Sequence, residues 1–130
     1  MKIMLIGRWQ PFHLGHKAMI DEALASGKEV VVGIRDTKES ERNPFSSTMR
    51  LAMILNTFKE KPVEVILIPD ISEIWVGRDV GYKVMQVDYG KDISGREIRR
   101  RIRNGRDFSR FVPDPVFDLL NEYIRQDAVK

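Results

Sequence analysis

The chain has no cysteine in its 130 residues. Disulfides and thiolate metal sites are therefore excluded, and nothing argues for secretion. The start, MKIMLIGRW, has too short an apolar run for a signal peptide and no small-residue cleavage site. No stretch approaches the length of a membrane span, so a cytoplasmic location without membrane contact is expected. Internal repeats, low-complexity tracts and linkers are also missing. With 42% hydrophobic and 32% charged residues, the composition is that of an ordinary globular protein and not a disordered one. The length suits a single domain spanning 1–130.

What is present is unevenly placed. The formal net charge is a modest +3, yet Arg96, Arg99, Arg100, Arg101, Arg103, Arg106 and Arg110 crowd one segment. Such a run either binds a polyanion or forms a solvated helix face.

Short apolar runs alternate with helical patterns. Lys2–Gly7, Glu29–Arg35 and Val63–Pro69 read as buried strands. Two further strands are expected, over Ile74–Val76 and Tyr82–Asp88. Leu14–Ala25 repeats apolar residues at helical spacing and stops at Ser26-Gly27. A second helix follows a cap at Ser47 or Thr48, with Leu51, Ile54, Leu55 and Phe58 as its stripe. In ISGREIRRRIRNG, Ser94 and Glu97 form a capping box, and Gly105 ends the helix. Asp114 caps a last helix, over 114–126, with Pro115 at its first position. This order predicts an α/β fold: a Rossmann-like open, mainly parallel five-stranded sheet with helices on both faces, the last helix packed against it.

In such a sheet ligands bind beyond the carboxyl ends of the strands. The stretch GRWQPFHLGH, residues 7–16, leaves the first strand at that edge and enters the first helix. Pro11 removes a ladder donor, and Gly15 allows close approach of a ligand to the main chain. His13 and His16, the chain's two histidines, stand three apart at a helix start, where unpaired N–H groups and the helix dipole favour an anion. A histidine there can equally serve as a cap. Without a nearby third ligand, the pair does not make a zinc site, and no metal ligands are assigned.

GRWQPFHLGH resembles the GRFQPFHxGH signature of the nucleotidyltransferase superfamily, the HxGH adenylyl- and cytidylyltransferases. ISGREIR, residues 93–99, resembles its second signature, ISxTxIR. NPFSSTMR, residues 43–50, and IPDISEIW, residues 68–75, are similar to segments of nicotinamide mononucleotide adenylyltransferases. The resemblance implies direct attack of an acceptor phosphate on the α-phosphate of ATP or CTP, without a covalent intermediate. Catalysis is then positioning and charge stabilisation. Mg²⁺ would be held mainly by the nucleotide phosphates.

By that resemblance His13, His16, Arg8 and Lys17 are the catalytic candidates, with His16 at the α-phosphate. Gly7, Trp9, Gly15, Ser94, Arg96 and Arg99 would bind nucleotide, with the Gly77 backbone near its base, Asp79 at the ribose hydroxyls and Arg78 reaching a phosphate. Asp36, Arg50 and Trp75 would meet the acceptor. Two departures stand out: Arg96 replaces the usual Thr, and the chain is too short for a strand-and-helix insertion that the nicotinamide mononucleotide enzymes carry after the tryptophan region. The expected function is adenylyl transfer from ATP to a small phosphorylated acceptor, nicotinamide mononucleotide being the best match. The alternative is a CTP-dependent enzyme acting on a phosphorylated alcohol such as glycerol 3-phosphate. A basic nucleic-acid-binding module would leave both histidines without a role, so no nucleic-acid partner is expected; a homo-oligomer is left open.

Overall fold

A computed structural model describes residues 1–87 and 92–129. Three strands, β1 (Lys2–Gly7), β2 (Glu29–Arg35) and β3 (Val63–Ile68), form one parallel sheet in the order β1-β2-β3. The register pairs Leu5 with Val32 and Val32 with Val65. Helix α1 (Leu14–Ala25) connects β1 to β2, and α2 (Ser47–Thr57) connects β2 to β3. After a long irregular stretch come α3 (Gly95–Arg103), a 3₁₀ turn at Ser109–Phe111, and α4 (Asp114–Val129).

Alternation along the strands decides which face is covered. Val30, Val32 and Ile34 of β2 point to one side and are buried against α1 and α2, with Phe12, Ile20, Met53 and Ile54. Val116 and Leu120 of α4 and Ile98 of α3 belong to the same core. Helix α4 packs on α2, where Tyr123 meets the Phe45 ring edge-on at 5.2 Å. The opposite face presents Met4, Ile6 and Ile66, which are 48%, 37% and 37% exposed.

The five-stranded sheet with helices on both faces is thus corrected to three strands covered on one face, among the described residues. Neither Ile74–Val76 nor 82–87 pairs as a strand, and Asp88 lies outside the described residues. Their apolar side chains stay in water: Trp75 is 88% and Met85 72% exposed. These residues pair with neither edge strand of the sheet, and strand-like sequence without tertiary pairing does not make a strand. The second-helix cap is also displaced by one residue. Ser46, not Ser47 or Thr48, accepts from the Met49 amide at 3.1 Å. Asp114 falls within the first turn of α4, where the Phe117 amide donates to Pro113 O.

Candidate functional site

At the carboxyl end of β1 the chain turns sharply. Trp9 adopts a left-handed backbone (φ 55°), rare for a bulky residue, and tucks its ring under Gly7. A Cβ on Gly7 would lie 2.9 Å from that ring, so only glycine fits. Trp9 Nε1 donates to Gly33 O at 3.1 Å, locking the loop to β2. The Trp9 indole is buried and packs edge-on against the His16 ring, 4.7 Å between centroids.

The two histidines cap α1 for each other. His13 Nδ1 accepts from the Gly15 and His16 amides at 3.1 and 3.3 Å, while His16 Nδ1 accepts from the His13 amide at 3.3 Å. An accepting Nδ1 places the hydrogen of a neutral imidazole on Nε2, so both rings are Nε2–H donors. They stack at 3.6 Å. Burial lowers the His13 pKa to about 4. His16 is pushed well below its usual value by burial and then by the nearby His13. Both are neutral at pH 7 and act as hydrogen-bond donors rather than cations. The capping and binding readings of this pair are therefore not exclusive: one ring nitrogen caps and the other carries the ring hydrogen.

Helix α3 brings the second wall. Ser94 Oγ accepts from the Glu97 amide at 3.1 Å. Glu97 does not complete the capping box; its carboxylate pairs with Arg100 and Arg101 instead. Arg99 is buried and reaches across to Gln10 O at 2.6 Å. Gly95 makes this approach possible, since a Cβ there would stand 2.8 Å from the same oxygen.

Between the walls lies a cavity of about 740 Å³. His13, His16, Arg8, Trp9, Ser94, Arg96 and Arg99, all singled out in the sequence, line it. So do Gln10, Glu41, Arg42, Ile93, Gly95 and Arg103, which sequence reasoning did not assign. Five arginines face one carboxylate there. The Arg99 pKa is lowered by burial and then by Arg8, Arg103, Arg42 and Arg96. Cations crowded enough to repel one another form a site for a polyanion.

Several expected site residues lie elsewhere. Lys17 turns away and pairs with Asp21 at 2.8 Å, one helical turn on, where its charge is more easily solvated. Arg50 is fully buried and spends its guanidinium on main-chain carbonyls: Phe45 and Ser46 at 3.1 and 3.3 Å, Arg8 and Arg35 both at 2.8 Å. It braces the walls without lining the cavity. Asp36 is exposed at the end of β2 and hydrogen-bonds through its amide to Ile68 O. Trp75, Gly77, Arg78 and Asp79 lie exposed on the irregular stretch, with Asp79 (φ 54°) and Gly81 (φ 90°) forming its turn. Gly15 stays buried beneath the His13 ring nitrogen that its amide meets.

Residues 4–104 match the cytidylyltransferase-like family. The chain belongs to that family. It is 30% identical over 161 aligned positions to the nicotinamide-nucleotide adenylyltransferase of Methanococcus aeolicus, covering 100% of this chain and 94% of that protein. The enzyme of the same name from Halobacterium salinarum is 32% identical, with 90% and 84% covered. That from Archaeoglobus fulgidus is 28% identical, with 94% and 91% covered. These relatives make the chain a nucleotidyltransferase. An alignment of 161 positions on a chain of 130 means that the Methanococcus protein carries residues with no counterpart here.

The fold is similar to that of a bifunctional NMN adenylyltransferase/ADP ribose pyrophosphatase from Francisella tularensis, solved with AMP and a manganese ion. The TM-score is 0.74 at 21% identity, covering 97% of this chain and 51% of that one. The chain spans about half the length of that protein, and the likeness establishes the α/β Rossmann-like fold.

Proposed function

We propose that the chain works as one unit that transfers the adenylyl group of ATP to nicotinamide mononucleotide, forming NAD and releasing pyrophosphate. The acceptor phosphate oxygen forms a bond to the α-phosphorus as the bond from that phosphorus to the β-phosphate's bridging oxygen breaks. No side chain is covalently modified. The observation that carries this reading is the arginine-rich cavity between two histidines and the Ser94 helix start, in a chain similar along its length to curated nicotinamide-nucleotide adenylyltransferases.

Each residue's part follows from its chemistry. His16 Nε2–H donates to the α-phosphate as negative charge builds there, and His13 donates beside it. Ser94, the open amides of α3 and Arg99 hold the terminal phosphates. Arg8, Arg42, Arg96 and Arg103 balance the remaining charge. Among the described residues, no group of three His, Cys, Asp or Glu side chains forms a metal site. With Glu41 as the one carboxylate lining the cavity, the residues suit a divalent ion carried in on the phosphates, Mg²⁺ in our reading. Bound there, it would screen phosphate charge during transfer. None of the described helices is long and apolar enough to cross a membrane; a cytoplasmic enzyme is our reading.

The choice of nucleotide tests the proposal. Adenine and cytosine differ in size and hydrogen-bonding edges, so a site matched to one leaves buried groups unpaired with the other. Pyrophosphate release with nicotinamide mononucleotide should be at least tenfold faster from ATP than from CTP at equal, sub-saturating concentrations. Faster release from CTP with glycerol 3-phosphate would move the chain to cytidylyl transfer.

Arg99 tests the phosphate clamp. A charged hydrogen bond contributes about 1.5–3 kcal/mol, so Arg99→Ala should weaken ATP binding roughly tenfold to a hundredfold by calorimetry. Arg106→Ala, an exposed site beyond the end of α3, should change it less than about threefold. Arg103 is no control, since it lines the same cavity. Equal losses at 99 and 106 would indicate a general basic surface.

A further inference from the structure

Three separate segments line the cavity: the 7–16 loop, the 41–45 loop and the start of α3. All three meet at Gln10, a residue the chemistry above does not use. Its side chain is buried, with 3% of its surface exposed. Gln10 Oε1 accepts from the Phe45 amide at 3.0 Å, and Gln10 Nε2 donates to Phe45 O, also at 3.0 Å. The side-chain amide thus pairs with a main-chain residue at both of its ends, as a neighbouring strand would. The Gln10 main-chain oxygen faces the other way and accepts from Arg99 Nη1.

We propose that Gln10 is a positioning residue for the transfer reaction, setting the spacing between the two walls of the cavity. Phe45 lies three residues after Arg42, which reaches the cavity from the 41–45 loop. Fixing the Phe45 backbone fixes where that cation stands relative to His13 and His16. The Arg99 contact uses main chain, so a side-chain change at position 10 loosens the 41–45 wall and spares the α3 wall. Direct phosphoryl-group transfer depends on alignment of attacking and leaving groups, and misplacement by about 1 Å costs up to ~100-fold in rate. Ground-state binding of a triphosphate, held by several cations at once, depends on it much less. This inference rests on the proposed adenylyl transfer for its kinetic readout.

The test is a split between turnover and binding. Gln10→Leu, similar in size and without hydrogen bonds, should lower kcat at least tenfold while changing ATP affinity less than about threefold by calorimetry. Gln10→Glu keeps the acceptor for the Phe45 amide but sets a second carboxylate oxygen against Phe45 O, so it should not recover the lost kcat. If Gln10→Leu does not fold, Gln10→Asn, too short to reach Phe45, carries the same expectation. Unchanged kcat overturns the proposal. So does a parallel fall of kcat, ATP affinity and Tm in all soluble variants, which would mean a merely structural side chain. Faster hydrogen exchange of the Phe45 amide in Gln10→Leu is expected whatever the substrates. A wild type that fails to turn over ATP with nicotinamide mononucleotide, while that exchange is accelerated, therefore refutes the substrate reading and leaves the latch standing. Unaccelerated exchange refutes the latch alone.

Discussion

His16→Ala is expected to lower kcat for adenylyl transfer at least ~100-fold, with a much smaller change in ATP affinity. The reason is where its hydrogen bond acts. The α-phosphate oxygens gain charge only as the acceptor attacks, and a fixed donor aimed at that position stabilises the transition state more than bound substrate. Loss of one such donor costs roughly 2.7–4 kcal/mol, a factor of 10² to 10³. The ring is pre-set for this: its Nδ1 accepts from the His13 amide, and Trp9 and Phe12 pack against it.

Those contacts mean that the alanine variant also loses half of the reciprocal cap on α1. A cap is worth about 1 kcal/mol, so a modest fall in Tm is expected beside the kinetic loss. The two effects separate because kcat is read at saturating substrate on folded protein. The pH dependence gives a second reading of the same assignment. With its pKa held well below the usual value by burial and then by His13, His16 is neutral at pH 7 in the folded protein. No histidine titration should shape kcat between about pH 6.5 and 8. A rise in kcat as protons are added through pH 7 would require an imidazolium and overturn the neutral-donor role. Near wild-type turnover in His16→Ala would remove His16 from the catalytic set altogether.

The parts of this molecule legible in its sequence are those decided locally. The limits of β1, α1 and β2 follow from short aliphatic runs and the Ser26-Gly27 stop, because burial pattern and turn chemistry act within a few residues. The two signatures that resemble the HxGH enzymes fall on the two walls of the cavity. What could not be read are properties of neighbours. Ile74–Val76 and 82–87 have strand-like sequence, yet whether they pair is decided by tertiary contacts that a local pattern does not contain. Arg42 sits in a run of polar residues and looks like a solvated loop charge; its nearness to the NPF segment was the available signal. Gln10 lies inside the first signature but has no titrating or phosphate-binding chemistry to draw notice. Lys17 shares a helix turn with Asp21, and that local pair outcompeted the cavity for its charge.

Arg50 shows the same lesson with the largest consequence for stability. The resemblance places it among acceptor ligands, whereas the fold uses it as an internal brace. Its Nη1 donates at 2.8 Å to Arg8 O, where β1 ends, and at 2.8 Å to Arg35 O, where β2 ends. Its Nε bonds Phe45 O and Ser46 O at the start of α2. One planar group thus ties two strand ends and a helix start around a fully buried position. Burial lowers its pKa, and Asp36 opposes that shift. Arg50→Met, similar in length and apolar, removes every one of these donors. Arg35 O keeps the Thr37 amide and Phe45 O keeps Gln10 Nε2, so the loss centres on Arg8 O and on the connection between the elements. Hydrogen bonds from a charged donor are worth about 1.5–3 kcal/mol each, and the abandoned carbonyl adds its desolvation cost. A destabilisation of about 3–5 kcal/mol follows, or a fall in Tm of roughly 10–20 °C for a domain of this size. Arg50→Lys should recover little, because an ammonium cannot serve separated carbonyls from a rigid fork. Thermal unfolding without substrates measures the effect directly. If instead both variants keep the wild-type Tm and only the KM for nicotinamide mononucleotide rises, Arg50 faces the acceptor in solution and the brace is not what keeps it in the fold.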